Sequence, residues 1–356
     1  MRIAILGSVA LPVPPPGQGG TEWIAYQQAI GLSQKGHDIL LFAAKGTKEN
    51  FKDTKVQVIE VGEGDLVSGS AKEAQFDKTR VESSRKLRME IVYLTQAAGL
   101  LIDHKDEYDV ILNNMRGEAL FLPVAKLLQK PFVNVMHLNL FPALADLFRT
   151  YKTHVITISN AQRNDFTDLD YLATVYNGVD IDKYSYNAVP KDYLLMMGSI
   201  ARHKNQKAAI EVAKKAGMKL VLSGKIGQPD YFAEIKPMID ESGVTYIGEI
   251  SFAEKLKLYQ EAKAFIFPIN WDEPFGLVMI EAMSCGTPVV AFNKGAVPEV
   301  VVDNSTGFVV EGVDQMIQKL HNIDTISREA CRKHVEEKFT IQKMIDDYEK
   351  ALQKLG

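Results

Sequence analysis

Residues 272–300, DEPFGLVMIEAMSCGTPVVAFNKGAVPEV, leave a chain few ways to fold. The run after Gly276 is apolar and free of breakers until Gly286, and glycine readily takes the left-handed conformation that closes a helix. Thr287 and Pro288 lead into Val289–Phe292, a continuous apolar run of the kind that forms a parallel strand covered on both faces. Lys294–Glu299 then opens another helix, with Pro298 suited to its first turn. A helix, a buried strand and a second helix in direct succession are the unit of a doubly wound α/β domain.

The same stretch carries two carboxylates, Glu273 and Glu281, separated by two turns of helix, on the order of 12 Å. A helix starting at Gly276 turns its free N–H groups and positive dipole end toward whatever lies beside Phe275, Gly276 and Leu277. Gly276 has no side chain to hold a ligand off the backbone. Carboxylates at two depths suit a long ligand with a diol near each end and an anionic middle. Two solvated helix glutamates are the alternative. Glu281, set between Ile280 and Ala282-Met283, fits that alternative poorly.

The rest of the chain repeats the α/β alternation. Arg2–Gly7 reads as a strand, Ser8–Gly20 as a proline- and glycine-rich loop, and the helix that follows can be capped by Thr21, hold Glu22 in its first turn and end at Gly36. Ile39–Ala44, Lys55–Val61, Val110–Asn113, Phe132–Met136 and Val155–Ile158 read as strands, and Thr79–Asp103 as a long helix. Gly17-Gln18-Gly19-Gly20 is either a plain loop or a ligand cradle. Arg80, Arg85, Lys86 and Arg88 form either a solvated face or a weak contact for an anionic acceptor or membrane surface. His137 directly follows a strand, where α/β proteins place ligand groups, although a structural role is open there too. Asn177-Gly178 marks a turn, and residues 181–192 make a polar linker. A second cycle follows with strands at Tyr193–Met197, Leu220–Ser223, Tyr246–Glu249 and Phe265–Pro268, a loop at Gly198–Asn205, a helix at Gln206–Ala216, and Gly224-Lys225 at a strand end. Residues 312–356 are charged and helical.

With 356 residues, two domains of ordinary size are expected. A chain 46% apolar and 24% charged, with net charge −4 and no basic segment of domain size, is expected to be globular and not to bind nucleic acid. Two distant cysteines form no disulfide framework and fit a cytoplasmic setting. The proline-broken N-terminus reads as a first strand, and no apolar run reaches the ~18 residues of a membrane span.

Taken together, E-P-F-G-L-V-M-I-E, A-M-S-C-G-T-P-V-V-A and G-A-V-P-E-V resemble the signature of the family-4 retaining glycosyltransferases, whose hallmark is two glutamates with seven residues between them. The resemblance implies an α/β protein of GT-B fold, two doubly wound Rossmann-like domains facing each other across a cleft. Residues 1–180 would form the acceptor side, 181–340 the domain binding the nucleotide sugar, and 341–356 a helix crossing back. Gly19, Gly20 and Glu22 match the family's G-G-x-E. His137 stands where members have a histidine facing the donor sugar, and Ser159–Arg163 and Val175–Asp180 also look like family segments.

Gly198–Asn205 resembles the family's pyrophosphate loop, G-R-L-x-x-x-K-G: Gly198 and Lys204 match, while Ser199 replaces the arginine and Asn205 the final glycine. Arg202 is the expected substitute for the missing arginine. The resemblance assigns Glu273 to the donor sugar and Glu281 to the ribose, with Gly198, Lys204, Gly224, Phe275, Gly276 and Leu277 lining the donor and Lys204, together with Arg202, stabilising the departing diphosphate. It implies transfer of a sugar from a UDP- or GDP-type donor to a hydroxyl acceptor, with the donor phosphate taking the acceptor's proton. No cofactor and no metal are expected, since no D-x-D-like motif ends a strand. The competing functions are a silent nucleotide-sugar sensor or assembly subunit on the same fold, and a sugar phosphorylase or epimerase on a related one. Donor base, sugar, acceptor and oligomeric state are not encoded legibly.

Overall fold

The computed structural model describes residues 1–17, 19–63, 80–240 and 243–356, the side chains of residues 80–83 aside. Gln18 of the glycine-rich loop, Thr79 at the expected helix start and the Arg80 side chain lie outside the described residues. The chain divides into two compact units. The first comprises Met1–Ile158, Arg163–Val175 and Ile345–Gly356; the second comprises Ser159–Gln162 and Tyr176–Met344. The change of unit thus falls at Val175/Tyr176, a few residues before position 180, and the final segment joins the first unit from Ile345.

The first unit holds strands β1 (Arg2–Leu6), β2 (Asp38–Ala44), β3 (Gln57–Val61), β4 (Val110–Asn113), β5 (Phe132–Met136), β6 (His154–Thr157) and β7 (Tyr171–Thr174). They form one parallel sheet in the order β3-β2-β1-β4-β5-β6-β7. Helices α1 (Gly20–Gln34), α2 (Arg80–Asp103), α3 (Glu118–Leu128) and α4 (Pro142–Tyr151) connect them. β1 is entirely buried after Arg2, and its register sets Ile3 against both Ile39 and Val110. α1 starts at Gly20 with Gly19 before it and no side-chain cap. Thr21 is therefore inside the helix and does not cap it. Gly36, at φ 89°, follows its end as expected.

The second unit holds β8 (Leu194–Met197), β9 (Leu220–Ser223), β10 (Val244–Tyr246), β11 (Ala264–Phe267), β12 (Val289–Phe292) and β13 (Gly307–Val310). This parallel sheet has the order β10-β9-β8-β11-β12-β13. Its helices are α5 (Gln206–Ala216), α6 (Pro229–Ile235), α7 (Phe252–Glu261), α8 (Leu277–Ser284), α9 (Val297–Val300), α10 (Val313–Leu320) and α11 (Arg328–Lys338). The last helix, α12 (Ile341–Gln353), begins here and continues as part of the first unit. There Lys35 binds Asp346 and Glu349, and a Cβ on Gly31 would strike Ile345 at 2.5 Å, so the glycine lets α12 lie close against α1.

The Tyr246–Glu249 strand is displaced to Val244–Tyr246, and Lys55–Val61 is shortened at its start. In each sheet the strand order reverses between two neighbours, β1/β4 in the first and β8/β11 in the second. Open α/β sheets bind ligands beyond the carboxyl ends of the strands at such a reversal. Among the described residues no helix is long and apolar enough to cross a membrane.

Candidate active site

In the second unit the strands at the reversal, β8 and β11, deliver the two loops that the motifs occupy. The β11 strand is wholly buried, and its loop returns Glu273 to a position where only 8% of the residue is exposed. Oε2 of Glu273 receives Lys204 Nζ at 2.8 Å and the indole Nε1 of Trp271 at 2.9 Å. Oε1 has no partner among the described residues. The Lys204 ammonium lies over the Trp271 ring, 5.0 Å from its centroid, and over Phe267 at 5.5 Å. Ala296 N donates to the Glu273 carbonyl at 2.8 Å. A Cβ on Gly295 would come within 2.4 Å of the Glu273 backbone, so this glycine of the G-A-V-P-E-V segment lets the two chains touch.

The β8 loop is stitched to the β11 loop by Asn270 N donating to His203 O (2.8 Å) and by Asn205 Nδ2 donating to Pro268 O (2.8 Å). Asn205 sits at φ 61°, ψ 48°, the left-handed region that explains a glycine preference and that asparagine tolerates best among other residues. Its departure from the family pattern therefore preserves the backbone and adds a tether. Lys204 and Glu273 are both largely buried, and removing either would leave an uncompensated charge costing about 3–5 kcal/mol.

Gly276, at φ 84°, precedes α8 with no side-chain cap on the helix N-terminus. Leu277, half-buried, is the first residue of that helix. Phe275 belongs to the core: it is 1% exposed and packs on Tyr176 and Phe339 with centroids 6.1 and 5.8 Å away. Its expected place on the donor thus becomes a packing role, since its ring faces other rings. Glu281 holds three donors, Tyr184 Oη (2.8 Å) and Lys255 Nζ (2.8 Å) on Oε1 and Tyr259 Oη (2.9 Å) on Oε2. Burial, then the Glu281 charge, pushes both phenols far above their ordinary range, so they remain donors. A carboxylate offers about four acceptor positions, which leaves this one with little to spare.

Arg202 is not brought to Glu273. Its guanidinium bonds Glu234 (2.7 Å) and Asp230 (3.4 Å) and lies 5.2 Å over the Tyr231 ring, all on α6. Two carboxylates and an aromatic face hold it there. Gly198 and Gly224, at φ 150° and 144°, end β8 and β9, and a Cβ on Gly224 would lie 2.1 Å from Gly198 O. They are the close-contact pair joining those two strand ends.

In the first unit His137 follows β5, and its Nε2 lies 2.8 Å from Asn114 Oδ1. Asn114 Nδ2 donates in turn to Gln28 Oε1 at 2.7 Å. Burial, aided by the Arg116 charge, lowers the His137 pKa to about 4, so the ring is neutral at pH 7. Glu22 accepts from Ser8 Oγ at 2.9 Å. Gly19 precedes α1, where a Cβ would strike Pro15 at 2.7 Å and Glu22 at 2.8 Å, and Gly20 starts the helix.

Sequence reasoning missed Trp271, Tyr184, Lys255, Tyr259 and Asn114. Trp271 alone carried a signal, as one of two tryptophans and two residues ahead of a motif glutamate. Among the described residues no group of three or more His, Cys, Asp or Glu gathers as a metal site would require.

Residues 181–337 match the family model described as glycosyl transferases group 1. A curated relative, the O-antigen chain mannosyltransferase RfbU of Salmonella typhimurium, is 28% identical over 161 residues, 43% of this chain and 45% of its own length. The capsular polysaccharide biosynthesis glycosyltransferase CapM of Staphylococcus aureus is 27% identical over 230 residues, 56% of this chain and 58% of its own. The chain spans about half the length of the curated relatives it matches. Among solved structures, HepE of Anabaena, captured with UDP and glucose, superposes with a TM-score of 0.71 at 19% identity over 99% of this chain and 100% of that one. The fold is GT-B.

Proposed function

We propose that the protein is a retaining glycosyltransferase that moves a sugar from a nucleotide-sugar donor to a hydroxyl acceptor without a metal ion. The observation that carries this reading is Glu273, presented by the two loops at the strand reversal within the very segment that matches the glycosyl transferases group 1 model. The HepE complex with UDP and glucose and the mannosyltransferase name of RfbU support the same class of donor.

Glu273, anchored through Oε2, presents Oε1 to a hydroxyl of the donor sugar. Glu281 offers its remaining acceptor position to the ribose. The N–H groups of Leu277 and Val278 at the start of α8, which no side chain caps, stabilise the departing diphosphate beside side-chain-free Gly276. The bond from the anomeric carbon to the phosphate oxygen breaks, the bond to the acceptor oxygen forms on the same face, and the acceptor's proton passes to the diphosphate. Within the first unit, Gly19, Gly20 and Glu22 are assigned to an acceptor, and His137 is a neutral imidazole able to exchange a hydrogen bond with a hydroxyl.

The test is to offer UDP-, GDP- and ADP-sugars with simple sugar or lipid-linked acceptors and to follow release of nucleoside diphosphate and the anomeric configuration of the product. We expect acceptor-dependent release from one donor class, undiminished by EDTA. Donor binding without release would favour a sensor, and release driven by phosphate alone would favour a phosphorylase.

A further inference from the structure

A nucleotide-sugar transferase must neutralise a diphosphate as it leaves, and the obvious cations here are committed elsewhere. Position 199 is a serine, Arg202 is held on α6 by Asp230 and Glu234, and Lys204 is paired with Glu273. We propose that Lys225 supplies the diphosphate-binding charge that position 199 lacks. This rests on the donor-site reading above.

The backbone places Lys225 beside Ser199. Gly198 N donates to Ser223 O (3.0 Å), Ile200 N to Lys225 O (2.8 Å), and Gly227 N and Gln228 N to Ile200 O (3.2 and 3.0 Å), while Ile200 and Ile226 form a parallel bridge. Residues 198–200 and 223–228 are therefore zipped together beyond the carboxyl ends of β8 and β9. Two glycines permit the approach. A Cβ on Gly224 would collide with Gly198 O, and one on Gly227 would come within 2.3 Å of Ser199 Oγ.

Within this junction Lys225 is exposed, and its ammonium has no hydrogen bond or ion pair among the described residues. Arg202, Lys204, Lys207 and Lys255 of the same unit each hold a carboxylate. A lysine in this position acts on phosphate as a mobile point charge, where an arginine would act as a fork. It therefore replaces the charge at position 199 without reproducing the geometry.

Calorimetry on the full chain tests this, using UDP, GDP and ADP and, for each one bound, the matching nucleoside. We expect Lys225→Ala to weaken diphosphate binding about tenfold, near 1.4 kcal/mol, and to leave nucleoside binding unchanged. Lys225→Arg should stay within about threefold of wild type, and the donor kcat/KM should fall in step with diphosphate affinity. Unchanged diphosphate affinity in Lys225→Ala overturns the assignment, as does an equal loss for the nucleoside or a loss in Lys225→Arg as large as in Lys225→Ala. If the wild-type chain binds none of the three diphosphates, the donor-site reading falls and takes this one with it. That outcome is distinct from a binding-competent protein indifferent to position 225.

Discussion

One oxygen of Glu273 takes both the Lys204 ammonium and the Trp271 indole, and the other has no partner among the described residues. The indole does two jobs, donating to the carboxylate and stacking beneath the lysine. Trp271→Phe keeps the ring and loses the N–H, so the carboxylate loses one of its two anchors. We expect transfer to slow about tenfold, near 1.4 kcal/mol of barrier, with nucleoside diphosphate affinity within twofold of wild type. Trp271→Leu, which also removes the stacking, should be slower still; a parallel loss of diphosphate affinity would place the indole's role elsewhere. Arg202→Ala should leave transfer within about threefold of wild type, because exposed ion pairs contribute about 0–1 kcal/mol. A tenfold loss in steady-state rate would return Arg202 to the phosphates. The family-like motifs singled out Glu273 and Lys204, which lie 69 residues apart and form an ion pair, but nothing in them indicated the partners of Arg202. Those lie 28 and 32 residues downstream on α6, and nothing in a charged turn says which carboxylates it will meet.

At the scale of elements, α8 is held at its far end by α11. Arg328 donates to the carbonyls of Asn187, Gln260 and Ala262 and to Thr287 Oγ1, at 2.7–2.9 Å. Arg332 donates to Ser284 O at 2.8 Å and also to Tyr184 O. These carbonyls end α7 and α8 or line the entry to the second unit, and a helix end leaves carbonyls without intrahelical partners. Arg328→Ala strands several of them at once and should cost about 2–4 kcal/mol, measured as a lower urea midpoint at unchanged slope. A cost under about 0.5 kcal/mol would mean that water replaces the guanidinium. Continuous apolar runs made the interior strands legible: Val289–Phe292 and Leu220–Ser223 form as read. Gly286 follows α8 in the left-handed region expected of it, at φ 88°, and Gly276, singled out for its missing side chain, precedes the helix at φ 84°. Two of the four edge strands, β7 and β13, were not legible. β7 is only half-buried along its four residues, so it shows no apolar run, and β13 opens on a glycine whose missing Cβ lets it lie against Val289. Each edge strand takes its form from the neighbour it pairs with.

For the molecule as a whole, both units contain a histidine held neutral. In the first, His137 titrates near 4 because of burial and the Arg116 charge; in the second, burial also lowers the pKa of His334, whose Nε2 lies 3.1 Å from Val300 O. The folded-state values lie below the unfolded value of 6.5, so between them the unfolded chain binds the proton first. Stability from this source is complete above about pH 6.5 and is lost as pH falls, for His137 over the interval from 6.5 to about 4. The urea midpoint should therefore decline between pH 7 and pH 4.5, beyond what the exposed carboxylates account for. In His137→Gln the decline should be shallower, because an amide can take the Asn114 hydrogen bond without gaining a proton. An identical slope in the variant would show that His137 is not the group being titrated. Neutrality also fixes what the imidazole can do at pH 7: one nitrogen carries hydrogen and the other accepts, so His137 can orient a hydroxyl and cannot serve as a resident cation.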